Sequence, residues 1–398
     1  MAMYLSAIVA LTIFMALPDV WFYLKMKRKV RFKWLRLLSL LPLLLFVFTF
    51  FYIRYGLRHS HDFLLISKIS WIFIAISAIY TPKIIFIVFY YVNRLYNRIF
   101  DKRTHIFRQI GFGLGVFFVG IIAYGVVICR TNFQLKKQVV EVTDLPESFD
   151  GYKIVLFADF HLGNWNRKYS IMEPIIEMIN KTDADIIVFA GDLINNFHQE
   201  TIGWEEYFRQ LKSKDGMYAV LGNHDYGDYT NWQTPEHKAK NLEQTKENIR
   251  SLSFRLLLNE NTDLIKGNDT ISLVGVENFG SVHFDNYADL NKALEGIPKE
   301  RKKILISHDP NHWNAEIVDK RKDIFLTVSG HTHAGQMGFV RGNFKISPAA
   351  LIYPEWDGLY SSDEQHIYVN RGIGYVGIPM RIGVPPEITL ITLKKKEK

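Results

Sequence analysis

The chain has 398 residues, 14% of them aromatic, with one cysteine and a formal net charge of +8. Its mean hydropathy of +0.00 averages two unlike regions: residues 1–140 hold 19 Lys and Arg against 3 Asp and Glu, whereas residues 141–398 hold 29 against 37. That division excludes a uniformly basic, nucleic-acid-seeking surface, and Cys129 alone excludes an intrachain disulfide or a cysteine-built zinc cage.

Four apolar stretches lead the chain: Met3–Leu24, Leu35–Ile53, Phe63–Val92 and Ile110–Cys129. Each is long enough to cross a hydrocarbon core roughly 30 Å thick. The run LLSLLPLLLFVFTFFYI lacks the polar face of helical period that a soluble core helix would carry. The first stretch has no basic n-region and three more follow it, so it reads as a span and not a cleavable signal. The third contains Lys68, Pro82 and Lys83, and reads as one kinked helix or as a span with an interfacial piece.

The intervening loops carry seven basic residues (Lys25 to Arg36), two (Arg54 and Arg58) and five (Arg94 to Arg108). By the positive-inside tendency the first and third loops are cytoplasmic. The expectation is a multi-pass protein of the cell (inner) membrane, with the lipid bilayer as a partner and the C-terminal two-thirds on the periplasmic or extracellular side.

Residues 1–132 thus read as a transmembrane helical region and 133–398 as a soluble α/β domain. KIVLFA (153–158), DIIVFA (185–190), MYAVLG, TISLVGV, KILISH and IFLTVSG are short apolar runs, and a helix is predicted over Ile171–Asn180. Such alternation predicts a sheet buried on both faces, with function gathered at the loops beyond the strand ends. The KKKEK tail predicts a frayed terminus.

Those strand ends are chemically unusual. FADFHLGN supplies Asp159 and His161, FAGDLINN supplies Asp192, LGNHDYGD supplies Asn223, His224 and Asp225, LISHDPNHW supplies His308, and VSGHTHAG supplies His331 and His333. Asp and Asn cap helices and make turns anywhere. Five exits presenting Asp, His and Asn, without thiolate, instead suit borderline divalent ions such as Mn, Fe, Co or Zn.

The ordered series D-x-H, G-D, G-N-H-D, H and G-H-x-H resembles the calcineurin-like metallophosphoesterase superfamily. The tail from DGLY to PPEITLITL is similar to its membrane-associated branch, the transmembrane proteins with a metallophosphoesterase domain. The likeness covers about Val140 to Leu393 and implies a four-layer α/β sandwich with two sheets. It implies two divalent metal ions, one on Asp159, His161, Asp192 and His333, the other on Asp192, Asn223, His308 and His331, with Asp192 bridging. Two ions roughly 3.5–4 Å apart can share a hydroxide, lower its pKa and clamp phosphoryl oxygens for in-line attack. Neutral His and Asn leave positive charge for the phosphate that carboxylates alone would cancel.

The resemblance also makes His224 the catalytic group that contacts phosphate and assists the leaving group. An orienting Asp often follows the bridging Asp by three residues, but Asn195 stands there. Asp225 or another acid would substitute, or His224 would act as a neutral donor, and Asn195→Asp is expected to leave activity equal or raised. His198, His237, His283, His312 and His366 lack ligand spacing and read as structural. Arg371 or Arg381 in NRGIGYVGIPMR could contact an anionic substrate, and the insertion between Tyr226 and Asn248 could roof the site.

The expected function is a membrane-anchored, two-metal phosphoesterase acting on a phosphomonoester or phosphodiester, small or lipid-linked. A narrower alternative is a UDP-2,3-diacylglucosamine pyrophosphatase of lipid A synthesis, which the outside topology opposes. The other is a catalytically inactive membrane scaffold or sensor, which the complete ligand set opposes.

Overall fold

A computed structural model describes residues 2–27, 29–59, 63–280, 285–342 and 344–396, excepting the side chains of residues 2–14, 53–59 and 63–66. The chain divides into two compact units, Met1–Val126 and Val127–Lys398.

The first unit is helical: α1 (Ala2–Lys27), α2 (Lys33–Leu38), α3 (Leu41–His59), α4 (Phe63–Ile99) and α5 (Ile106–Val127). Among the described residues, two helical stretches are long and apolar enough to cross a membrane, Ser67–Ile99 and Ile106–Thr131; Leu41–Tyr52 is shorter. The third predicted stretch is one continuous helix with Pro82 inside it. The charge beside that proline has a partner: Lys83 Nζ lies 2.5 Å from Asp19 Oδ1 of α1, and the Tyr80 hydroxyl donates to Asp19 Oδ2 at 2.9 Å. Pairing removes most of the cost of a charge in apolar surroundings.

In the second unit the short apolar runs are strands. One six-stranded sheet is ordered β1 (Gln134–Val142), β14 (Glu387–Lys395), β2 (Lys153–Phe157), β3 (Ile186–Phe189), β4 (Met217–Ala219) and β5 (Arg255–Leu256). The other runs β12 (Gly358–Ser362), β13 (Gln365–Val369), β9 (Ile324–Ser329), β8 (Lys303–Ile306), β7 (Asp269–Gly275) and β6 (Glu260–Lys266), and a separate ribbon pairs β10 (Phe339–Arg341) with β11 (Phe344–Ile346). The basic tail expected to fray is strand through Lys395, because β14 pairs with β1 to its end.

Alternate residues of the central strands serve two cores. Ile154, Leu156, Ile186 and Val188 join Leu273, Ile304, Ile306 and Leu326 of the other sheet in one buried cluster. Val155, Phe157, Ile187 and Phe189 point the other way, onto α6 (Met172–Asn180), whose Met172, Ile175, Ile176 and Ile179 form one helical stripe. The remaining helices, α7 (Glu205–Phe208), α8 (Pro235–Ser251) and α9 (Leu290–Ala293), fill the connections.

The parallel runs β2–β3–β4 and β8–β9 place their C-terminal ends together. The loops that leave those ends carry the seven predicted ligands and His224.

Candidate metal centre

Five of the seven predicted ligands have a left-handed backbone: Asp159 (φ 53°), His161 (50°), Asp192 (60°), His331 (70°) and His333 (50°). Non-glycine residues adopt that region at a cost, and such strain concentrates at functional sites. Glycines make room for the crowding. A Cβ on Gly222 would lie 2.2 Å from Asp192 Oδ1, and one on Gly330 would lie 2.6 Å from Asp159 Oδ2.

The loops are fastened to one another by backbone donors. The His331 N–H donates to both Asp159 oxygens at 3.0 and 3.1 Å, and the His224 N–H donates to Asp192 Oδ1 at 2.9 Å. Asp225 is fully occupied in this way, accepting from the backbone N–H groups of Gly222, Asp192, Leu193 and Ile194 at 2.9–3.1 Å. Burial, then the nearby Asp192 charge, pushes its carboxyl up to about 7.

The side chains converge on two neighbouring points. Potential ligand atoms of Asp159, His161 and His333 lie within 4.8 Å of one another, as do those of Asp192, His308 and His331. Asn223 Oδ1 joins the second group, 2.8 Å from His331 Nδ1 and 3.1 Å from His308 Nε2. Asp192 Oδ2 lies between them, 3.7 Å from His161 Nε2 and 3.3 Å from His308 Nε2. All seven predicted ligands are therefore together, and His224 completes a third group with His161 and Asp192.

This donor set fits bound cations. His308 Nδ1 lies 2.7 Å from the Ala190 carbonyl, so it carries the proton, and a neutral His308 aims its Nε2 lone pair at Asn223 Oδ1 and Asp192 Oδ2. Acceptors facing one another in a buried site require positive charge between them. Without an ion a proton must serve: burial opposes it most strongly, but Asp192, Asp159 and the Ala190 carbonyl together outweigh burial and push His308 up to about 10. Across the site His161 Nε2 lies 3.1 Å from His333 Nε2, and His161 Nδ1 has no hydrogen-bonding partner among the described residues. Burial holds His161 and His331 down to about 3 and about 4, and His333 below the ordinary range. Neutral imidazoles are the form that ligates divalent ions.

Residues 152–335 match the profile of the calcineurin-like phosphoesterase family. An uncharacterized metallophosphoesterase of Bacillus subtilis, YkuE, is 31% identical over 277 residues, covering 65% of this chain and 87% of its own. The chain belongs to the calcineurin-like phosphoesterase family. Proteins called transmembrane protein with metallophosphoesterase domain are 33% identical over 280 residues in Danio rerio and 34% over 268 in Bos taurus. These alignments take in 68% and 64% of this chain but only 60% and 56% of the relatives' own lengths.

Within this phosphoesterase domain several expectations need correction. Asp225 does not orient His224, since its oxygens are used by the backbone. Instead His224 Nδ1 donates to the backbone carbonyl of Asn195 at 2.9 Å. A neutral His224 then presents a lone pair at Nε2, so it can donate there only as an imidazolium, and the neutral-donor alternative falls. Arg371 does not face the site: its guanidinium is buried on Asp357, with Glu387 at 3.4 Å. Arg381 is wholly buried and donates to the carbonyls of Arg371, Gly372 and Gly374 at 2.7–3.2 Å. It shapes the loop that lies against Asp159, as a positioning residue.

His312 sits between Ser307 Oγ (2.9 Å) and Glu316 (3.2 Å), away from the cluster, and His366 bonds Ser361. His283 lies outside the described residues.

Three contributors escaped the sequence. Glu200 is buried and accepts from the N–H groups of Gly163, Asn195, Asn196 and Phe197 and from Asn195 Nδ2 at 2.8–3.0 Å, joining two ligand loops. Tyr353 Oη lies 2.9 Å from His331 Nε2, leaving His331 Nδ1 for the cluster. Tyr229, from the insertion thought to roof the site, accepts from Asn223 Nδ2 at 2.6 Å and lays its ring 4.3 Å from that of His224.

Proposed function

We propose that the chain is a membrane-anchored phosphoesterase that hydrolyses a phosphate monoester or diester with two divalent ions, Mn, Fe, Zn or Co. The carrying observation is the pair of buried donor groups that meet at Asp192. One ion would be held by Asp159, His161, Asp192 and His333, the other by Asp192, Asn223, His308 and His331. When bound, the ions supply positive charge that polarises the phosphate oxygens and makes water a nucleophile near neutral pH.

The chain's own groups do the rest. The Asn195 carbonyl fixes the His224 ring so that Nε2 points toward the cluster, where His161 and Asp192 lie. Water attacks phosphorus, the bond to the leaving oxygen breaks, and His224 as imidazolium gives its Nε2 proton to that oxygen. Tyr229 and Tyr353 hold Asn223 and His331 in position.

Two cores on opposite faces of the β2–β3 strands support a four-layer sandwich. Two long apolar helices, and relatives named as transmembrane proteins, support anchoring; four spans with an outside catalytic domain extend that reading from the loop charges. The test is metal analysis of the purified full chain, with phosphomonoesters, phosphodiesters and nucleotide-lipids assayed beside it. About two ions per chain and metal-dependent release of product are expected. Stoichiometric metal without turnover on any ester would defeat the enzymatic reading.

A further inference from the structure

The β10–β11 ribbon has its alternation inside out. Phe339 faces Ile346 and Arg341 faces Phe344 across the ribbon, and this side is exposed: Phe344 to 60% and Ile346 to 58%. The opposite side turns inward, with Val340 against Ala334, Ala349, Trp356 and Val384, and the Lys345 ammonium on the Asp357 carbonyl. A ribbon in water ordinarily covers its apolar face and wets its polar one. Leu351 and Ile352 of the next turn are 88% and 66% exposed, so the apolar surface continues. Contiguous exposure of this kind marks a binding surface.

Two further observations name the occupant. The first is where the chain enters this unit. Cys129 is buried with its thiol near the backbone of Gly383 and Val384, and Gly383 and Val384 abut Gly338, the residue before β10. The first residues of this unit thus lie beside the ribbon, with Val127 and Ile128 exposed to 70% and 54%. The second is a cavity of about 280 Å³ that runs from His331 and His333 to an apolar wall of Pro348, Ala349, Ile352 and Val376.

We infer that the ribbon and the Pro348–Ile352 turn dock on the bilayer that anchors the chain, and that the metal centre takes a phosphate ester whose apolar part remains at that surface. The aromatic and aliphatic side chains of the ribbon enter the headgroup region, as the apolar faces of interfacial segments do. The phosphate meets the histidines while the apolar remainder lies on Pro348, Ile352 and Val376. The substrate half rests on the phosphoesterase reading; the docking half does not.

The test uses the full chain in nanodiscs of phosphatidylcholine and phosphatidylglycerol. An environment-sensitive fluorophore is attached at Phe344→Cys and, for comparison, at Ile265→Cys, a position 69% exposed on β6. Lipid-borne doxyl groups should quench the Phe344 site and aqueous iodide should not, with the reverse at Ile265. Iodide quenching at both sites without doxyl quenching overturns the docking. In parallel, the double variant Phe344→Ser, Ile346→Ser is assayed on phosphatidic acid and phosphatidylglycerol in vesicles and on soluble nitrophenyl phosphates. A loss of about tenfold confined to the vesicle-borne esters is expected. Equal rates of wild type and variant on those esters overturn the substrate half. Failure of the wild type on every ester would instead defeat the phosphoesterase reading and leave the quenching result standing.

Discussion

His224 Nδ1 donates to the backbone carbonyl of Asn195, 2.9 Å away, and the Asn195 side chain faces elsewhere, its Nδ2 on Glu200 at 2.9 Å and on Asn164 at 3.2 Å. The orienting group is therefore main chain, and its identity does not depend on residue 195. Asn195→Asp would set a second carboxylate against buried Glu200 and remove a donor from it. In place of the equal or raised activity read from the sequence, we expect a loss of roughly 3 kcal/mol of stability, seen as a lowered thermal unfolding midpoint in detergent. An unchanged midpoint with raised activity would restore the earlier expectation.

Asp192 and His224 should separate when replaced. Asp192→Asn removes the carboxylate whose Oδ2 lies 3.7 Å from His161 Nε2 and 3.3 Å from His308 Nε2. Bound metal should fall below two per chain and turnover by at least about a thousandfold, with the fold retained by circular dichroism. His224→Ala should keep both ions and lose about 10²–10⁴-fold in turnover. Metal loss in that variant would make His224 a ligand.

The imidazoles set a pH dependence. His161 and His331 are held near 3 and 4, and His333 also below its ordinary value, because burial penalises their charged forms. The unfolded chain takes up those protons near pH 6.5, so between that pH and about 4 it binds more protons than the folded chain. Stability must fall on acidification through this window. His308 is raised, so in metal-free protein its contribution is fully present below about 6.5 and is lost only as pH rises toward 10, outside this window; bound metal adds to the acid loss because protons compete with it for the imidazoles. The unfolding midpoint of metal-loaded chain should therefore drop more steeply from pH 7 to 5 than that of chelated chain. Parallel slopes would refute the coupling.

The strand runs and their exits were legible because both signals are local. A β-branched apolar run followed by Asp, His or Asn needs no knowledge of the rest of the chain, and β2, β3, β4, β7, β8 and β9 fall where such runs occur. What escaped acts over distance. Glu200 reaches a loop beginning at Gly163, and Tyr353 reaches His331 across a turn. The carbonyl of Asn195 has no side-chain signature at all. Arg371 and Arg381 were misread for a related reason: an arginine bound for substrate and one buried on Asp357 or on carbonyls look alike until burial is known. Lys83 inside an apolar stretch is ambiguous in the same way without Asp19, which lies beside it.

Tyr353 offers a test of indirect support. With its oxygen 2.9 Å from His331 Nε2, it accepts that N–H when Nδ1 is given to an ion, fixing the tautomer. Tyr353→Phe should weaken metal binding by about tenfold or more, measured by chelator competition, while the unfolding midpoint of chelated protein hardly moves. A variant that kept wild-type affinity would assign Tyr353 to packing alone.

The proposed side of the membrane rests on helix length read together with charge. α4 has 37 residues, about 55 Å at 1.5 Å per residue, and so exceeds a core of roughly 30 Å. Its C-terminal turns, with Arg94 and Arg98, lead into a connection bearing Lys102 and Arg103, and Arg108 lies in the first turn of α5. Basic clusters stay cytoplasmic, so α5, whose 22 residues span about 33 Å, would carry the chain outward. The phosphoesterase-family unit begins at Val127, where that helix ends in the sequence. Protease added to sealed, right-side-out vesicles should digest the unit beyond residue 134 while sparing cytoplasmic markers. Protection until the vesicles are opened would place the metal centre on the cytoplasmic side, and a nucleotide-linked lipid would then become the better substrate.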